Sequence, residues 1–351
     1  MSSVLKGTPK ELLTKCRQLI QPLNANFHKG MAGIITVIGG CADYTGAPYF
    51  ACHAAAATGA DLSHVICERR AAPVIKGYTP DLMIHPYLRD LEGSGLSDED
   101  IQRIEDTDLE KVLTDNQIRD IIDNRVMPRL ETLLHRSDVV VVGPGFGRDK
   151  LMLASLVRII EEVKVLNKPV IIDADALYLL SLYPKLGAYN RAVLTPNVVE
   201  FARLAKAIKV DAGDPDQPDS VVTATQNVSR ALAGAIVVRK GPYEVIASSE
   251  GHLINDQKGS PRRVGGQGDT LVGITATLLC WSNHYMDSKW GNKVEFTHDE
   301  ANILAIYAAA NMVRVASRKA FAKYGRAMQT SNVHQFVGEA YTEIFGDAAT
   351  L

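Results

Sequence analysis

The feature that most constrains this chain is a series of short runs rich in Val and Ile with almost no polar alternation. They are GIITVIGG (33–40), LSHVICE (62–68), DLMIHPYL (81–88), DVVVVGPG (138–145), PVIIDADAL (169–177), AVLTPN (192–197) and AIVVRKG (235–241). A strand with one wet face alternates apolar and polar residues, whereas a strand covered on both faces need not. Between the runs lie patterns of helical period at 47–60, 151–166, 198–208 and 220–232, and two more follow at 270–282 and 302–320. Strand and helix in alternation predict the α/β class, with a mostly parallel central sheet and helices on both faces.

With 351 residues, 46% of them hydrophobic, the chain can fill the core of one large domain. The polar stretches 89–108 and 211–220 read as surface insertions. No repeat and no long linker divides the chain, so one domain is expected over 27–351, with 1–26 as an N-terminal extension. A formal net charge of −2 provides no broad positive field for nucleic acid or an anionic membrane. No stretch reaches the roughly 18 apolar residues of a membrane span. The five cysteines are odd in number and include no CxxC pair, which points to a reducing compartment rather than a disulfide framework or zinc site. The expected location is the cytosol. An excess of Lys6, Lys10, Lys15 and Arg17 over Glu11 leaves a mitochondrial address as the alternative.

In an open parallel sheet, ligands gather beyond the carboxyl ends of the strands, where helix N-termini favour anions. Five such ends carry informative residues: GGCADYTGAPYF, GPGFGRD, DADAL, PNVVEFARL and KGPYE. A sixth segment, SPRRVGGQGDTLVG (260–273), sets Gly265, Gly266 and Gly268 before Asp269 at the start of an apolar helix. Glycines let backbone amides approach an oxyanion closely. Asp269 reads either as a helix cap or as a base that takes a substrate hydroxyl proton while those amides hold the γ-phosphate. The chain lacks GxxxxGK[ST], HExxH and GxSxG, and neither GPGFGR nor GQGDTL completes GxGxxG. Asp173 and Asp175, two carboxylates at alternate positions past a strand, can converge on a metal or shape the site. His53, His64 and His85 are read as packed, hydrogen-bonded residues.

Taken in order, GGCADYTGAPYFACHAAAATGADLSHVIC, VVGPGFGRD, VIIDADAL, LTPNVVEF and GGQGDTLVG resemble the ATP-dependent (S)-NAD(P)H-hydrate dehydratase family, a branch of the ribokinase-like fold. The resemblance runs from about Phe27 to Phe345, and KYGRAMQTSNV resembles its eukaryotic members. It implies a ribokinase-like α/β fold and repair of NADH and NADPH hydrated at C6 of the nicotinamide ring, with ATP converted to ADP and phosphate.

By the same resemblance, Asp269 is the catalytic base. The ATP site comprises Lys240, Gly241, Pro242, Tyr243 and Glu244, together with Gly259, Ser260, Pro261, Arg262, Arg263, Val264, Gly265, Gly266, Gln267 and Gly268. The hydrate site comprises Asn197, Val198, Val199, Glu200, Phe201, Ala202 and Arg203, with Gly145, Gly147 and Tyr44. Lys240 also reads as a solvated turn residue, and Asn197 as a helix cap. Mg²⁺ is expected with ATP, with Glu200 as an outer-sphere partner and no direct ligand assigned. Functional pairing with an NAD(P)H-hydrate epimerase and homo-oligomerisation are both compatible with the sequence. Two other readings stay open from the residues: a kinase of the same fold that leaves phosphate on a vitamin-precursor hydroxyl, and a nucleotide-binding protein without turnover.

Overall fold

The computed structural model describes residues 3–23 and 26–346. Nine strands form one sheet: β1 (Ile34–Ile38), β2 (Leu62–Glu68), β3 (Met83–Leu88), β4 (Val139–Val142), β5 (Val170–Ile172), β6 (Ala192–Leu194), β7 (Ile236–Arg239), β8 (Glu244–Ala247) and β9 (His252–Asn255). Their order is β3-β2-β1-β4-β5-β6-β7-β8-β9. The first seven are parallel, β8 pairs antiparallel with β7, and β9 pairs antiparallel with β8.

The apolar runs are explained by burial on both faces. Val139 and Val141 join the core under the helices Gly46–Thr58, Gln267–Met286 and His298–Tyr324. Val140 and Val142 point the other way, into the core under Lys150–Val165, Asp175–Leu182 and Val198–Ala207. Each fully buried aliphatic side chain of this kind contributes about 1.5–3 kcal/mol. Leu12, Cys16, Leu19 and Ile20, from the N-terminal segment, are buried in the first core.

Two expectations change and two further elements are added. The run 169–177 is a strand only to Ile172, because Ala174 takes φ 48° and ψ −117° and Asp175 already begins a helix. The hairpin β8–β9 was not visible as strands. Stretch 89–108 is more than a surface insertion: it contains the helix Asp98–Glu105, buries Leu91 and Ile104, and is tied down where the Leu91 N–H donates to Asp149 Oδ2 at 3.0 Å. The segment that follows folds as the helices Leu109–Val112, Asn116–Ile121 and Met127–Arg136, with a wider π turn at Ile122–Val126.

Candidate active site

The loops after β1, β4 and β5 and the N-terminus of the helix Gln267–Met286 enclose a cavity of about 1020 Å³. Tyr44, Gly145, Gly147, Gly265, Gly266 and Asp269 line it. A smaller cavity of about 90 Å³ lies on the other side of the same turn, lined by Lys240, Glu244, Ser260, Arg263, Gln267 and Gly268 together with Arg314 and Ser317. The glycine turn is therefore a shared wall. Asp269 faces the large side and its neighbour Gly268 the small one.

The turn has its shape because Gly266 caps the helix with φ 96°, a left-handed conformation. A Cβ there would also stand 2.9 Å from Thr330 and 3.0 Å from Phe50. Asp269 is the third residue of the helix, not its cap, and the N–H groups of this first turn have no acceptor within the helix. They and the helix dipole favour an anion at this wall.

Two hydroxyls hold the turn from behind. Thr330 donates to the Gly265 carbonyl, and Thr270 Oγ1 donates to the Gly266 carbonyl at 2.8 Å. With its proton committed there, Thr270 Oγ1 accepts from His334 Nε2 at 2.9 Å, and His334 Nδ1 then accepts from His53 Nδ1 at 2.9 Å. The order of protons along this chain requires neutral His334. Burial, with the charge of His53 second, pushes its pKa down to about 3. Reading His53 as a packed residue was right as to hydrogen bonding; the chain it starts ends at the phosphate-type loop.

On the small side, Lys240 follows β7 and its Nζ pairs with Asp173 Oδ1 at 2.9 Å. That oxygen also accepts from Thr195 Oγ1 at 2.6 Å. Burial opposes the charge on Lys240, but Asp173, Glu200 and Asp269 together hold its pKa above the ordinary lysine value. A Cβ on Gly268 would lie 3.5 Å from Lys240 Nζ, so the ammonium stands beside the helix N-terminus. Burial first, and the Asp173 charge second, raise Asp269 to about 7 against the pull of Lys240. Asp173 thus shapes the site through charge. Asp175 does so by accepting from the Gly147 N–H at 2.9 Å.

The other assigned residues are distributed as follows. Gly145 comes so close to the Tyr44 segment that a Cβ would meet the Tyr44 carbonyl at 2.8 Å. Tyr44 itself is 58% exposed. The Gly241 carbonyl accepts from Arg263 and Arg314, and the Pro242 carbonyl from Arg314. Tyr243 packs on the small cluster of Val221, Val222 and Val245. Glu244 is buried against Arg314 and accepts from Asn255 Nδ2 at 2.9 Å. A Cβ on Gly259 would stand 2.9 Å from Arg314. Arg262 N donates to Ser260 Oγ at 2.9 Å, Val264 packs against the core, and Pro261 is exposed.

The segment 197–203 lies beside the Lys240 lobe, with Val198 3.9 Å from a Cβ position on Gly241. Asn197 and Glu200 form a reciprocal capping box, Asn197 Oδ1 accepting from Glu200 N and Glu200 Oε2 from Asn197 N. Val198, Val199, Ala202 and Arg203 are exposed. Phe201 is fully buried and carries the Arg239 guanidinium 4.3 Å above its ring, so its place is in the core.

Sequence reasoning missed Arg314, Thr330 and His334. Arg314 had a signal, as it is the sole charge within 302–316. Thr330 and His334 lie more than sixty residues from the turn they hold, and no spacing rule connects them.

Fold and site together define an α/β enzyme of the ribokinase-like class, with an anion-binding turn between two cavities and a carboxylate at the junction. A ribokinase-like superfamily protein from Enterococcus faecalis superposes with a TM-score of 0.66 at 20% identity, covering 99% of both chains. An ADP/ATP-dependent NAD(P)H-hydrate dehydratase from Bacillus subtilis, co-crystallised with ATP and Mg²⁺, superposes at 0.61 and 18% identity, covering 95% of this chain and 97% of that one. The family model described as NAD(P)H-hydrate dehydratase matches residues 35–337. The ATP-dependent (S)-NAD(P)H-hydrate dehydratase of Candida albicans is 53% identical over 97% of this chain and 96% of its own length. That of Saccharomyces cerevisiae is 39% identical over 94% and 96%. The chain belongs to the NAD(P)H-hydrate dehydratase family.

Proposed function

We propose that this protein dehydrates the S form of hydrated NADH or NADPH at the expense of ATP, giving the normal dinucleotide, ADP and phosphate. The observation that carries the reading is Asp269. It is a carboxylate with a pKa of about 7, set where the anion-binding turn separates a dinucleotide-sized cavity from the lobe holding Lys240 and Arg263. A base is most effective when its pKa lies near the working pH.

In this reading ATP lies with its phosphates on the glycine turn and Lys240, and the hydrated ring enters the large cavity. Asp269 removes the proton of the C6 hydroxyl as its oxygen bonds to the γ-phosphorus and the bond to ADP breaks. From the resulting ester, phosphate leaves with the C6–O electron pair, pushed by the ring nitrogen lone pair. Loss of the C5 proton then restores the double bond. The turn amides and Lys240 stabilise charge on the transferring group. Lys240 also keeps Asp173 neutralised beneath it.

Mg²⁺ would arrive with the ATP phosphates and supply charge neutralisation there. One oxygen of Glu200 is committed to capping Asn197, which leaves the other to accept from a metal-bound water. An enzyme confined to the S form pairs functionally with an epimerase that interconverts the two forms. All five cysteines are free thiols, which supports a cytosolic, reducing setting.

The test is to incubate the protein with ATP, Mg²⁺ and chemically hydrated NADH and NADPH. Absorbance at about 340 nm should recover, with one phosphate released per ring restored. A stable phosphorylated product, or recovery independent of ATP, would overturn the reading.

A further inference from the structure

At the other end of the helix Gln267–Met286, away from Asp269, three donor groups of different kinds converge. Cys280 and His284 stand four residues apart and so share one face of that helix. Asp138, immediately before β4, faces them. Cys280 Sγ lies 3.5 Å from His284 Nε2, and His284 Nε2 lies 3.6 Å from Asp138 Oδ1. All three ligand atoms fall within 4.8 Å of one another. Cys280 and His284 are almost completely buried, at 1% and 3% exposure, while the Asp138 side chain keeps 28% and leaves an entry path.

The Cys280–His284 and His284–Asp138 spacings match those between ligands of a tetrahedral ion. With Zn–S about 2.3 Å and Zn–N or Zn–O about 2.0–2.1 Å, tetrahedral angles put S and N about 3.5 Å apart and N and O about 3.4 Å apart. The outer contacts match too. His284 Nδ1 lies 3.0 Å from Gln21 Oε1, and that oxygen can only accept, so Nδ1 carries the proton. Nε2 then turns its lone pair toward the Cys280 thiol at 3.5 Å, with the Asp138 carboxylate 3.6 Å away, so the thiol proton sits where sulfur, nitrogen and carboxylate converge. A cation that takes the place of that proton is held by all three donors. Asp138 Oδ2 is itself oriented by the Ile34 N–H at 2.8 Å. Histidine and carboxylate ligands oriented by such partners are characteristic of metal centres.

We infer that Cys280, His284 and Asp138 bind a zinc-type divalent ion. Binding replaces the Cys280 thiol proton with the metal and releases that proton to solvent. Mixed thiolate, imidazole and carboxylate donors suit Zn²⁺ or Co²⁺ far better than Mg²⁺, so the site is chemically distinct from the one that ATP-bound Mg²⁺ would occupy. The ion would clamp the helix carrying Asp269 to the start of β4 and, through Gln21, to the N-terminal segment.

The test is titration of the full-length, chelator-treated protein with Co²⁺. The expected result is one equivalent bound, with a thiolate-to-cobalt charge-transfer band in the near ultraviolet. The band should persist in Cys41→Ser and be absent in Cys280→Ser. Asp138→Asn should weaken Co²⁺ binding at least about tenfold, and Zn²⁺ should raise the thermal midpoint of the wild type but not of Asp138→Asn. Should Cys280→Ser fail to fold, Asp138→Asn decides on affinity alone. Absence of the band in the wild type, its persistence in Cys280→Ser, or unchanged affinity in Asp138→Asn overturns the assignment and leaves His284 as a packed histidine hydrogen-bonded to Gln21 and the Cys280 thiol.

Discussion

Replacing Asp269 with Asn should abolish turnover and also make the protein more stable above neutral pH. The site holds Asp269 at about 7 instead of its ordinary 3.8, because burial and the Asp173 charge oppose ionisation. In the unfolded chain the carboxyl ionises near 3.8. Between the two values the folded protein therefore binds the proton more tightly than the unfolded chain does, and stability falls as pH rises through that window. At about 1.4 kcal/mol for each tenfold difference, the cost to the wild type is about 1.5–2 kcal/mol at pH 5 and about 4 kcal/mol at pH 8. Below pH 3.8 it vanishes.

Asn has no such titration, so the gain of Asp269→Asn over wild type should grow by about 2–2.5 kcal/mol from pH 5 to pH 8. Urea unfolding of both proteins at the two pH values reads this difference, and titrating groups remote from Asp269 cancel in the comparison. Recovery of absorbance at about 340 nm from hydrated NADH reads the loss of turnover in the same preparations. A stability gain equal at both pH values would refute the raised pKa, and a variant that still turns over would remove Asp269 as the base. The combination is specific to a site residue whose environment is tuned against folding.

Three further outcomes follow from the same geometry. In the wild type, kcat/KM should rise about tenfold per pH unit below about 7 and level off above it, and Asp173→Asn should move that limb to lower pH because it removes a charge that raises Asp269; a profile flat from pH 5.5 to 8 contradicts this. Thr330→Val deletes the donor to the Gly265 carbonyl, and at about 1 kcal/mol for the bond kcat/KM for ATP should fall about fivefold while Thr330→Ser retains activity; equal losses in both variants would point to packing instead. Gly273→Ala places a Cβ 2.0 Å from the Ala51 carbonyl, where the helices Gly46–Thr58 and Gln267–Met286 touch. It should cost at least about 1–3 kcal/mol, visible as a lower thermal midpoint, and an unchanged midpoint would contradict so close a helix contact.

How much of the fold could be read from the sequence depended on the length of each apolar run as well as on how many faces it buries: β3, an edge strand, was read at 81–88, while the four buried residues of β8 were too short a run to be read. β1, β2 and β4–β7 were legible because burial on both sides demands unbroken apolar runs. β9 was not, since it is an edge strand with Ile254 39% exposed and only four residues long. The break after Ile172 was invisible for another reason. Nothing in DADAL announces that Ala174 adopts φ 48°, and local propensity would let the strand run on. The charged stretch 89–108 looked like solvated surface, yet Asp90 is buried and ion-paired with Arg70 at the rim of the large cavity. Charge in a sequence does not tell a solvated side chain from a paired one.

The candidate site divides along the same line. Residues that act through their own backbone, Gly266 above all, were legible because a left-handed turn against close neighbours calls for glycine. Residues that act through another group were not. Lys240 and Asp173 were each visible, but their pairing across 67 residues was not, and it is that pairing that commits the ammonium to Asp173 rather than to Asp269. With Lys240 satisfying Asp173, the buried negative charge closest to neutrality is left on Asp269. The base is thus selected by its neighbours: of two carboxylates near one ammonium, the one that holds the ammonium cannot also take the substrate proton.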